Sequence, residues 1–130
     1  MNHEAAFVSA FVVPEKRARY LEFLANPKRR HEILNRLGHF DDFLTQFATE
    51  TGYQQSGVLD GLLRARGAGR LAHVISMSED LDGREMPLLE ALEGVLDYPF
   101  GSVVSCLPGR LAFYIQHEAP TQGFILEKKP

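Results

Sequence analysis

Two arginines stand where apolar residues would be expected. At about 100° per residue, Arg17 lies on the arc formed by Tyr20, Leu21 and Leu24, one turn ahead of them. Arg30 holds the same place ahead of Ile33, Leu34 and Leu37. A guanidinium so placed snorkels from the rim of the core or pairs with a distant carboxylate. The sharper alternative is that Arg17 and Arg30 reach into a cleft and hold an anion, since the planar fork matches carboxylate and phosphate. An enzyme built around such a pocket would also need an acid/base group. His73, on a predicted strand face with Leu71, Ile75 and Met77, and Glu85 are the candidates. Their plainer reading is a satisfied rim histidine and a carboxylate near a helix start. Cys106 could be a nucleophile with His73 or His117 as its base. Its mid-strand place beside Val104 and Leu111 reads instead as a small buried hydrophobe.

Other spacings exclude more than they propose. The five histidines, His3, His31, His39, His73 and His117, include no pair at zincin or finger spacing, so no metal is expected. The run Glu79–Glu85 alternates carboxylates before Gly83 but lacks the later ligands of a calcium loop. No glycine pattern suits a phosphate or dinucleotide, and no cofactor is expected. Lys16, Arg19, Lys28, Arg29 and Arg36 could form a basic helical face, but Glu15, Glu22 and Glu32 interrupt it at salt-bridging spacing. With a net charge of −3, this argues against nucleic acid as a partner.

The elements that must carry these residues are legible in outline. The length, 130 residues, fits one domain of residues 1–130, with a mainly helical half (1–66) and a sheet half (70–128). Residues 4–13 read as helix in preference to strand. Pro14 opens a helix and Asn26-Pro27 opens another that runs to a left-handed stop at Gly38, giving a helical hairpin with a 13-residue repeat. A shorter helix is expected over Phe40–Phe47 with Asp41 as its cap. A further one, capped by Ser56, should run to about Arg66, with Val58, Leu59, Leu62 and Leu63 inward. The second half predicts a strand over Leu71–Met77, a helix opened by Pro87, and a hairpin around Pro108-Gly109. A two-residue turn there sets Leu107 opposite Arg110, with a bulge as the alternative. A turn over Pro120–Gly123 and a last strand from Phe124 complete an α+β fold: a small, mainly antiparallel sheet covered by helices.

Three runs, PEKRARYLEFL (Pro14–Leu24), DGREMPL (Asp82–Leu88) and SCLPGRLAFY (Ser105–Tyr114), resemble a family of small uncharacterised bacterial proteins. The resemblance implies a bacterial cytosolic origin and carries over no catalytic residue.

Charge is unevenly spread. Pro14–Leu37 holds seven basic and three acidic residues, whereas residues 71–130 hold four and nine. Opposed surfaces suit self-association or a charged partner. The expected function is a cytoplasmic binding module for a partner protein or a small anion, with the small enzyme as the alternative. The longest N-terminal apolar run, Ala5–Val13, is too short to span a bilayer, so no membrane partner is expected.

Overall fold

The computed structural model describes residues 2–98, 100–116 and 122–129. Among these residues, six strands form one antiparallel sheet: β1 (Ala48–Glu50), β2 (Leu71–Ser76), β3 (Glu85–Pro87), β4 (Ser102–Leu107), β5 (Leu111–Gln116) and β6 (Gln122–Glu127). Their order is β1-β6-β5-β4-β2-β3. Helices α1 (His3–Phe11), α2 (Pro14–Leu24) and α3 (Arg30–Leu34) cover one face; α4 (Ser56–Ala65) and α5 (Leu88–Asp97) cover the other. The α+β class stands as expected.

Strand alternation sends side chains into two cores. Ile75, Val103, Ala112, Tyr114 and Phe124 meet Phe7, Phe11, Tyr20, Ile33 and Phe43 on the α1–α3 side. Val74, Val104, Phe113, Ile115 and Ile125 meet Leu59, Leu63, Leu88 and Leu92 on the other. Each face excludes water, so the central strands read as nearly continuous apolar runs. The face of the β4–β5 hairpin that holds Val103, Ser105, Ala112 and Tyr114, mixed in composition, is therefore as buried as its opposite.

Several local expectations are corrected. Helix α3 begins at Arg30 rather than Pro27, because the Asn26 side chain accepts from the Lys28 amide (3.0 Å) and makes a turn instead of a cap. The chain then tightens into a 3-10 turn over Asn35–Gly38, and Gly38 is not left-handed. Phe40–Phe47 forms no α-helix and Asp41 caps nothing. Two 3-10 turns flank Phe43, whose backbone bridges to Val12. Tertiary pairing thus takes the hydrogen bonds a helix would have used. Helix α4 starts at Ser56, one residue after its cap position, and leaves Val58 and Leu62 exposed. Pro87 ends β3 instead of opening α5.

At the hairpin, Leu107 pairs with Leu111, not Arg110, across a three-residue connection. Cys106 is the extra residue of a bulge, and Val104 faces Phe113. Strand β6 begins at Gln122, and the rest of the expected turn from Pro120 lies outside the described residues. Among the described residues, no helix is long and apolar enough to cross a membrane.

Candidate functional site

Local structure delivers Glu4 to the first turn of α1. The Asn2 side chain accepts from the Glu4 and Ala5 amides (2.9 and 3.3 Å), which fixes that turn. Glu4 then meets Arg30, at the start of α3, in a bidentate pair with both contacts at 2.6 Å. Asp82, from the β2–β3 connection, takes the other edge of the same guanidinium at 2.6 and 2.9 Å. The Leu24 carbonyl accepts a further bond at 2.9 Å. All five N–H donors of Arg30 are thereby engaged, so none is left for an anionic ligand. This is the carboxylate-pairing alternative.

The pair extends to β2. His73 Nε2 lies 2.7 Å from Glu4 Oε2, and the His73 ring stacks on His3 with centroids 5.5 Å apart. His3 Nδ1 lies 2.7 Å from the buried Ser105 hydroxyl. Asp82 also accepts from the Ser76 amide at 3.0 Å, so one loop carboxylate ties β2 to α3. The Arg30, Glu4, Asp82 and His73 side chains are each less than a fifth exposed. Burial opposes ionisation of Glu4, but hydrogen bonds from Arg30 and then His73 outweigh it and hold its carboxyl down at about 2. Burial and the neighbouring His73 lower the pKa of His3. Glu85, paired in register with His73 on β3, is exposed.

A second cluster inverts the first. Asp42 is completely buried and receives Lys16 Nζ (2.6 Å), Arg36 Nε and Nη2 (2.9 and 3.1 Å) and the Tyr20 hydroxyl (2.6 Å). Burial again opposes the charge; the Arg36, Lys16 and Tyr20 bonds overcome it and hold Asp42 at about 2. The Tyr20 phenol is driven well above its ordinary range, first by burial and then by Asp42. Lys16 and Arg36 remain about one-third exposed. With Glu15, Arg19 and Tyr20 they line a hollow of about 360 Å³ at the start of α2.

The structure brings Arg30 and His73 together and sets Glu85 across from His73. It does not add Arg17 or Cys106 to them. Arg17 Nε donates to the Val12 carbonyl (2.8 Å), where α1 ends. Cys106 lies in the core on the α4–α5 side, whereas His73 reaches α1 on the other side of the sheet. Burial pushes the Cys106 thiol up to about 12, so it is not a ready nucleophile. His117 lies outside the described residues. Among the described residues, no group of three or more His, Cys, Asp or Glu side chains could hold a metal.

Sequence reasoning missed Glu4 and Asp42 as organising carboxylates. Asn2 ahead of an apolar run was a usable cap signal for placing Glu4. Nothing local identified its partner 26 residues away. No family model, curated protein or solved structure matches the chain.

Proposed function

We propose that this chain is a binding module for a small anion bearing a carboxylate or phosphate group, seated in the hollow lined by Lys16, Arg19 and Arg36. The carrying observation is that buried Asp42 fixes two of these cations while leaving each about one-third exposed. Asp42 occupies Nε and Nη2 of Arg36, so the outer Nη1/Nη2 edge stays available as a second fork. Arg19 adds a guanidinium 5.9 Å from the Phe23 ring, with no carboxylate partner among the described residues. The anion site thus moves from Arg17 and Arg30 to Lys16 and Arg19 on α2 and Arg36 on the 3-10 turn after α3. Titration with inorganic phosphate and with acetate, followed by amide shifts, tests this. Shifts should centre on Lys16, Arg19 and Arg36 and disappear in Arg19→Ala. Shifts indifferent to Arg19→Ala, or absent with both anions, refute it.

The alternative enzyme reading draws on the Glu4–His73 contact. A carboxylate on Nε2 orients an imidazole whose Nδ1 could then exchange protons with a substrate. It requires the Nε2–H tautomer at neutral pH. Nitrogen chemical shifts showing Nδ1–H would end it.

A cytoplasmic setting accords with the single thiol, which is buried and unpaired. A bacterial source rests on the resemblance of the three sequence runs.

A further inference from the structure

A groove of about 450 Å³ runs between α1 and the β4–β5 turn, floored by Ala6, Ser9 and Ala10 and edged by Arg110, Lys128 and Lys129. Its charged residues are all cations. Among the described residues, Lys16, Arg29, Arg30, Arg36, Arg64 and Arg66 sit in side-chain ion pairs with carboxylates; these three, like Arg17, Arg19, Lys28, Arg70 and Arg84, do not, and Lys128 Nζ lies 5.4 Å from the Phe47 ring. Backbone pairing forces two of them together. The Lys128 amide donates to the Arg110 carbonyl (2.8 Å), extending the β5–β6 ladder by one step. Like charges directly opposite on neighbouring strands are destabilising. By contrast, Glu4 and Asp82 both meet Arg30, and Asp42 lies between Lys16 and Arg36.

We infer that this groove docks an acidic peptide segment of a partner protein. The short side chains at Ala6, Ser9 and Ala10 recur at helical spacing and let an extended chain lie close to α1. Gly109 holds the turn against that helix. Its φ is +70°, and a Cβ there would meet the Ala6 carbonyl at 3.2 Å. Cations along the rim suit successive carboxylates on a chain better than one small anion, which the more enclosed Asp42 hollow suits. The two sites share no residue, so either can fail alone.

A fluorescein-labelled decapeptide of alternating Glu and Ala, followed by anisotropy with the full chain, tests the inference. Saturable binding is expected at about 20 mM salt, weakening about tenfold or more by about 200 mM. The double variant Lys128→Glu/Lys129→Glu should weaken binding about tenfold or more. Ser9→Glu, at an exposed helix position where folding is not at stake, should weaken it about fivefold. Lys28→Gln, at an exposed position outside the groove, should leave it unchanged. Absence of saturable binding at low salt overturns the inference, as does equal binding by Ser9→Glu. Tighter binding to single-stranded oligodeoxythymidine or to phosphatidylserine vesicles than to the peptide also overturns it.

Discussion

The Arg30 and Asp42 clusters are near mirror images. In one, a single guanidinium is shared by two carboxylates; in the other, a single carboxylate is shared by two cations and a phenol. They differ in what faces water. The partners of Arg30 are as buried as Arg30 itself, so this cluster is a closed internal strut joining α1, α2, α3 and the β2–β3 loop. In the other cluster only Asp42 and Tyr20 are deeply buried, and the cations remain accessible. A buried anion presenting partly exposed cations leaves donors free for the anion proposed above. A buried cation wrapped by buried anions is a fastener. The basic excess of Pro14–Leu37 is thus partly offset, since Arg30, Arg36 and Lys16 pair with carboxylates from outside that segment.

Removing the central charge tests the contrast most severely. Arg30→Met strands two buried carboxylates and should cost about 3–5 kcal/mol in urea unfolding. Asp42→Asn should cost less, about 2 kcal/mol, because Lys16 and Arg36 can turn to solvent. Equal losses would show that the two clusters do not differ in kind.

Acidification should strike both together. Glu4 and Asp42 are each held down at about 2, against ordinary values of 4.5 and 3.8. Their stabilisation is complete above those ordinary values and is lost as pH falls toward 2, on the order of 2 kcal/mol each. His3, with its pKa lowered, adds an earlier step. Its contribution is complete above 6.5 and declines as pH falls below it. Urea midpoints against pH should therefore show a shallow shoulder and then a steep acid limb. Glu4→Gln should reduce only the limb.

The smallest effect separates Arg17 from Arg30. Arg17→Met removes one bond to the Val12 carbonyl just past α1 and should cost about 1 kcal/mol, with no change in the acid limb. A loss as large as that of Arg30→Met would mean that Arg17 has a buried charged partner.

What could be read ahead of the structure follows the range of the forces involved. Strand alternation at β2 correctly grouped His73 with Ile75, and the apolar runs flanking Pro108-Gly109 marked β4 and β5. Both are set by neighbours in sequence. The short strands β1 and β3 went unread because three residues carry no periodicity, and their identity comes from β6 and β2. Helix α3 was overextended because Asn26 serves a turn as readily as a cap. At Arg30 the residue and its inward direction were legible. Its partners, 26 and 52 residues away in the chain, were not.

The strand order sets the timing of assembly during synthesis. Strand β1 is made well before β6, its pairing partner among the described residues, whose first residue is Gln122. The ribosome therefore releases a helical layer whose edge strand must wait for the last strand to emerge. Loop closure of that length is slow beside helix formation. The fold is thus closed from its final strand backward, and a nascent chain halted before β6 presents an open sheet edge on β5.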